Sequence, residues 1–209
     1  MSQIAICLEP MHLKFTHDVC QLFIAQFRTK FKVCQTINDT QLREFFKKQI
    51  EDLLLDPSTH QIVAVCDDKV IGSLCMAWKP ESNKPRKELS LFSKEMATLF
   101  GKWNFSKFWF SLHQLKHVPQ FKECYIKHLL VHPEYQEKNV ETLLVQWAND
   151  FAHKDSRFDL LTVHLTGKDQ NTTRLYEKFF FKTCLRKNSL VRSFIFDDSR
   201  WNFLTLSLK

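Results

Sequence analysis

The stretch from Tyr125 to Phe181 constrains this chain more than any other, because it fixes a strand, a loop, a helix, a second strand and a second helix in that order. The apolar run Ile126, Leu129, Leu130 and Val131 reads as a strand, and Pro133, which has no N–H to give a ladder, closes it. From Val140 the apolar positions Leu143, Leu144, Trp147, Ala148 and Phe151 return at helical spacing, with Gln146, Asn149, Asp150 and Lys154 on the other face. That pattern predicts an amphipathic helix lying on a sheet. Phe158 to Leu165 is short, apolar and bounded by Arg157 and Gly167, so it reads as a buried strand. Strand, helix and strand in succession imply a parallel pair with a right-handed crossover. The predicted fold class is therefore α/β, in the α+β sense of a mixed central sheet flanked by helices.

The same stretch carries Leu129-Leu130-Val131-His132-Pro133, then Gln136-Glu137-Lys138-Asn139-Val140-Glu141, then Asn171 and Leu175-Tyr176-Glu177-Lys178-Phe179-Phe180-Phe181. In order and spacing it resembles the GNAT superfamily of acyl-CoA-dependent N-acyltransferases. That family has L-x-V-x-P at a strand end, a [Q/R]-x-x-G-x-[G/A] loop opening a helix, and N-x-x-A-x-x-L-Y-x-x-x-G-F after the next strand. Three family glycines are replaced here, by Asn139, Glu141 and Phe180. Asn visits the left-handed backbone region more readily than most residues, so Asn139 suits its place. Glu141 puts a carboxylate where the family brings a diphosphate up to backbone N–H groups. The same carboxylate suits the helix macrodipole.

The resemblance implies acetyl-CoA, or a similar acyl-CoA, as donor and an amine as acceptor. Leu129, Leu130 and Val131 would offer backbone to pantetheine and thioester, and Gln136, Glu137, Lys138, Asn139, Val140, Glu141 and Thr142 would face the diphosphate. Asn171 would contact pantetheine, and Tyr176 would protonate the leaving thiolate. As bare residues, Tyr176 reads equally as a helix aromatic beside Leu175 and Phe179. The proton acceptor is less determined. Glu123 and Tyr125 share one face of the strand at period two, where related enzymes place a carboxylate or histidine. A lone glutamate at a strand start also reads as a solvated edge group, and His128 as a hydrogen-bonded structural histidine.

The remaining chain is consistent with one domain over residues 1–209. Ile4 to Leu8 predicts a strand ended by Pro10, followed by a helix from Thr16 with Val19, Leu22, Phe23, Phe27 and Phe31 inward. A second helix follows Asn38-Asp39-Thr40, and His60–Cys66 with Val70–Trp78 read as a hairpin. Between the hairpin and the opening stretch, about residues 80–119 form a segment that the family pattern does not require. Its aromatics recur at helical spacing on both sides of Gly101, so it predicts two helices broken there. They read either as packing against the body of the protein or as one wall of an apolar acceptor site. After Phe181, Lys182–Arg186, Leu190–Phe196 and Trp201–Leu208 read as strands, the first two separated by a polar turn at Lys187-Asn188-Ser189.

Composition narrows the function further. A net charge of +7 suits a polyanionic ligand, but Lys and Arg are scattered and match no nucleic-acid module, so no nucleic-acid partner is expected. Seven cysteines without a C-x-x-C pair, in a chain lacking a signal peptide or long apolar span, predict reduced thiols, a cytoplasmic setting and no membrane partner. The histidines show no metal-ligand spacing, and no metal is expected. The resemblance implies a small-molecule or peptide amine as acceptor, and the aromatic segment makes a homodimer plausible. Two functions stay open: a GNAT-type acetyltransferase working by direct transfer, or a GNAT-like binding or regulatory module that no longer takes CoA normally.

Overall fold

Local chemistry sets the N-terminal half. The computed structural model describes residues 5–30, 36–80, 94–114, 116–136, 138–166, 170–188 and 200–209. It begins with β1 (Cys7–Pro10), a 3-10 turn over Leu13–Phe15 and α1 (Thr16–Lys30). Pro10 does not end the first strand, as the sequence predicts, but belongs to it and pairs with Ile62. Proline is tolerated there because β1 is the outermost strand. α2 (Asp39–Leu55) opens on a full capping box, in which Asn38 Oδ1 accepts from the Gln41 N–H at 2.9 Å and Gln41 Oε1 from the Asn38 N–H at 3.1 Å. β2 (Thr59–Cys66) and β3 (Lys69–Trp78) turn at Asp67 and Asp68, whose φ values of 47° and 60° fit a type I′ hairpin.

Then come α3 (Lys94–Phe100) and α4 (Lys102–His113), separated at Gly101 (φ 75°), as the aromatic spacing predicts. β4 (Glu123–Val131), α5 (Val140–Lys154), β5 (Leu160–Thr166) and α6 (Gln170–Lys178) follow. β6 (Lys182–Asn188) and β7 (Arg200–Ser207) form an antiparallel pair. Lys187 and Asn188 therefore extend β6 rather than making a polar turn, and the strand expected at Leu190–Phe196 lies outside the described residues.

The strands make one seven-stranded sheet in the order β1-β2-β3-β4-β5-β7-β6, with β4 and β5 its parallel pair. Period-two alternation divides its faces. Val63 and Val65 of β2 join α1 to α4 in one apolar cluster, whereas Ile62 and Ala64 join α5 and α6 in the other. On the first face Phe45, Phe46 and Phe108 are fully buried. The helices α3 and α4 dock on α1 and α2 through these rings: Phe108 lies edge-on to Phe45 at 4.8 Å and stacks on Phe100 at 5.3 Å. On the second face α5 buries Val140, Leu144, Val145, Ala148 and Ala152. Leu143, expected inward, is 40 % exposed, because the buried stripe runs through Val145 and Ala152.

Two residues mark how the chain replaced family glycines. Asn139 takes φ 63° before α5, and Phe180 takes φ 66° after α6. Left-handed backbone costs a β-carbon-bearing residue about 1–2 kcal/mol, and the Phe180 side chain, 81 % exposed, offsets little of it by burial. Phe180→Gly is expected to raise stability by about 0.5–1 kcal/mol after glycine's own backbone entropy is subtracted. Urea denaturation checks it, and an unchanged or lower midpoint would remove the strain argument.

Candidate active site

The site begins where β4 and β5 part. They pair in parallel from Glu123↔Leu160 to Ile126↔Val163, after which β4 continues on β3 and β5 on β7 as far as Thr166↔Trp201. A bulge at Lys127 helps the departure, since Ile126 pairs with Met76 and His128 already with Cys75. Beyond it the His132 N–H donates to the Ile71 carbonyl at 2.8 Å. By alternation the N–H and C=O of Leu129 and Val131 point into the fork. The Gln26 amide, reaching from α1, donates to the Leu129 carbonyl at 3.4 Å. A fork lined by backbone donors and acceptors is a slot for an extended, polar, narrow ligand.

At the far end of β4 the loop climbs into α5. Gln136, Lys138 and Asn139 are exposed, while Glu137 lies outside the described residues. In contrast to Asn38 of α2, Asn139 makes no side-chain cap hydrogen bond, and the first intrahelical bond runs from the Leu143 N–H to the Asn139 carbonyl at 3.0 Å. The N–H groups of Val140, Glu141 and Thr142 lie in the first turn, where the positive end of the helix dipole favours an anion. Gly72 allows this helix end to sit close. A β-carbon there would lie 3.0 Å from Leu144 Cδ1, 3.0 Å from Val140 Cγ1 and 3.2 Å from the Leu130 carbonyl. Glu141, half-buried in the first turn, brings to this cradle a charge that opposes an anion.

Asn171 is exposed, one residue into α6. Tyr176 is fully buried among the α5–α6 side residues, its ring edge-on to Phe181 at 5.1 Å. Glu123 and Tyr125 are on the opposite face, because Cys124 and Ile126 between them belong to the α5–α6 cluster. The acid candidate and the base candidates thus stand on opposite sides of the sheet, and the fork joins the two sides.

Glu123 is not a solvated edge residue. It is 4 % exposed, and its carboxylate accepts from His117 Nε2 (2.8 Å), Thr162 Oγ1 (2.5 Å) and the Gln120 N–H (2.6 Å). Burial pushes its pKa up, but the bonds from His117, Gln120 and Thr162 prevail and hold it below the usual carboxylate range. Tyr125 is buried with its ring 4.4 Å from that of His117, which in turn lies 4.9 Å from His164 of β5. His117 and His164 were not legible as site residues. His164 falls on the same face of β5 as Thr162, a signal available from period two, whereas His117 lies between α4 and β4 with no motif around it.

His128 is structural but not hydrogen-bonded as expected: it packs edge-on to Phe23 at 4.7 Å, and its Nε2 has no partner among the described residues. Burial, then the Lys127 charge, lowers its pKa from 6.5 to about 3. Above pH 6.5 neither folded nor unfolded chain protonates it; below, the unfolded chain does so first. Stability should fall by about 1.4 kcal/mol per pH unit on acidification towards about pH 3. Between 6.5 and about 5, above the carboxylate range, His128→Leu should flatten the slope of melting temperature against pH. An unchanged slope would contradict the assignment.

The Acetyltransferase (GNAT) family profile matches residues 17–181. The chain belongs to the GNAT acetyltransferase family. No curated protein matches its sequence. Among solved structures, it resembles Arabidopsis thaliana NAA60 in complex with acetyl-CoA at 14 % identity and TM-score 0.61, over 97 % of this chain and 98 % of that one. A variant of the spermidine N-acetyltransferase of Vibrio cholerae aligns at 12 % identity and TM-score 0.60, covering 97 % and 94 %. The ribosomal-protein-S18-alanine N-acetyltransferase of Escherichia coli aligns at 8 % identity and TM-score 0.56, covering 98 % and 95 %. At such identities these likenesses speak for the GNAT fold, which the seven-stranded mixed sheet and its flanking helices share. No helix among the described residues is long and apolar enough to cross a membrane.

Proposed function

We propose that this GNAT protein transfers an acetyl or similar small acyl group from CoA directly to an amine, in one ternary complex. The observation that carries the reading is the fork between β4 and β5, with Leu129 and Val131 presenting backbone groups to it. Pantetheine would run along β4, and a backbone N–H there would polarise the thioester carbonyl. The diphosphate would lie at the start of α5, over residues Gln136 to Thr142, and Asn171 would approach pantetheine from α6. Tyr176 would pass a proton to the departing thiolate. The acceptor would enter from the face of Glu123 and Tyr125. NAA60 bound to acetyl-CoA supports a CoA donor, and the spermidine and ribosomal-protein-S18-alanine enzymes support a small-molecule or peptide amine acceptor. Six free cysteines among the described residues agree with a reducing, cytoplasmic setting. We place no nucleic acid and no membrane among its partners; pairing of two copies through the exposed Trp103 and Phe110 of α4 is part of the proposal.

A second reading, a GNAT-like module that has lost ordinary CoA binding, is favoured by Glu141 in the first turn of α5 and by the complete burial of Tyr176. Acetyl-CoA calorimetry with wild type and Tyr176→Phe separates the two. The transferase reading expects micromolar binding by both and a turnover loss of about 10²-fold or more in the variant. Absence of binding by wild type would favour the module, and unchanged turnover in Tyr176→Phe would remove Tyr176 as acid.

A further inference from the structure

The chain contains a histidine–carboxylate pair that no family motif brings to notice. His117 lies in the connection from α4 to β4, beside the point where β4 and β5 separate. Its ring rests on one aromatic from each strand, Tyr125 of β4 at 4.4 Å and His164 of β5 at 4.9 Å, with Phe203 of β7 at 5.7 Å behind. The last parallel pairs, Tyr125↔Thr162 and Ile126↔Val163, are the rungs that carry these rings or adjoin them. His117 therefore straddles the root of the fork, on the face opposite Tyr176. Its side chain is 20 % exposed, whereas that of its partner Glu123 is 4 % exposed.

The hydrogen bonds decide which group can take a proton. An ionised carboxylate only accepts, so His117 Nε2 carries the hydrogen in the 2.8 Å bond to Glu123 Oε1. In the neutral imidazole that leaves the lone pair on Nδ1. Glu123 itself is fixed by three donors, from His117, Thr162 and the Gln120 backbone, and has little capacity to serve as the acceptor. A neutral phenol such as that of Tyr125 is a weak base.

We infer that His117 is the proton acceptor for the incoming ammonium and that Glu123 is its positioning residue, an assignment that rests on the transferase reading above. The ammonium gives one proton to His117 Nδ1, directly or through one water. Its nitrogen lone pair then attacks the thioester carbonyl carbon, the C–N bond forms and the C–S bond breaks. The nitrogen's surplus proton is lost as the thiolate is protonated, and the imidazolium returns its proton to water. Ammonium and thioester become amide, thiol and one released proton. Glu123 holds the tautomer and, being ionised and buried, favours the imidazolium when it forms.

Among the described residues, the titratable groups facing His117 are Glu123 and Tyr125 from β4 and His164 from β5. The test is kcat/KM against pH for wild type, His117→Ala, His117→Gln, His164→Ala and Glu123→Gln, with acetyl-CoA and either spermidine or a short peptide with a free amino terminus. Acetyl-CoA affinity and melting temperature are measured beside it. Both His117 variants should lose about 10²–10⁴-fold at neutral pH, with acetyl-CoA binding kept. The deficit should shrink at high pH, where the amine deprotonates unaided, and added imidazole should restore part of the rate to His117→Ala. Glu123→Gln should move the acid limb to lower pH, because the imidazolium loses its carboxylate. His117 variants within a few-fold of wild type with the acid limb in place, or a loss confined to His164→Ala, would overturn the assignment while leaving the transferase intact. A folded wild type that acylates neither probe would remove the transferase reading and the base with it.

Discussion

Replacing Glu141 by glycine is expected to tighten acetyl-CoA binding by between about 5-fold and about 10³-fold. The range follows from one carboxylate about 4 Å from a phosphate charge, which costs roughly 1 kcal/mol in water and about 4 kcal/mol at an effective dielectric of 20. Glu141 is half-buried in the first turn of α5, so the effect should fall between these limits. The helix dipole at this start favours an anion. Asn139 already holds the left-handed backbone that the missing glycine would supply. The gain should shrink as salt is raised, since screening weakens the repulsion it removes. Calorimetry at two ionic strengths checks both statements. Equal affinities for wild type and variant would mean that the carboxylate turns away from the diphosphate.

Phe108→Ala should destabilise the fold by about 3–5 kcal/mol, lowering the melting temperature by about ten degrees or more. Phe108 is fully buried and meets Phe45 edge-on, Phe100 face-on and Phe27 at 6.3 Å. Its ring is therefore the bolt between α4 and the α1–α2 pair, and truncation leaves a cavity that four rigid elements cannot close together. The alternative view of this aromatic segment, a wall over the acceptor, predicts small effects from the exposed rings Trp103 (73 %) and Phe110 (51 %) on stability and larger ones on KM. Thermal melts of Phe108→Ala against Trp103→Ala separate packing from recognition. A loss below about 1 kcal/mol in Phe108→Ala would show that α3 and α4 sit loosely on the body.

Much of this was legible from residue order. Strand, helix and strand between Tyr125 and Phe181 follow from periods of two and 3.6, and the two helices around Gly101 from aromatic spacing. Asn139 in the left-handed region followed from the place of a glycine in the resemblance. The misses have physical causes. Pro10 reads as a strand terminator until β1 is known to be an edge, and edges are tertiary facts. Leu143 and Val145 are both apolar, and only the sheet beneath decides which way α5 is rolled. Glu123 reads as solvated because its partners are six and 39 positions away, at His117 and Thr162. His117 itself could not be found, since a histidine in a connection carries no period and gains its meaning from the rings it meets on two strands.

Acyl transfer is tested most directly with purified protein, radiolabelled acetyl-CoA, and a panel holding spermidine and peptides with free amino termini. Label should move to at least one amine, free CoA thiol should appear in equal amount, and Glu141→Gly should reach half-saturation at lower acetyl-CoA. Failure of wild type and Glu141→Gly alike to bind acetyl-CoA or to label any amine would contradict it and leave the fork between β4 and β5 without a donor.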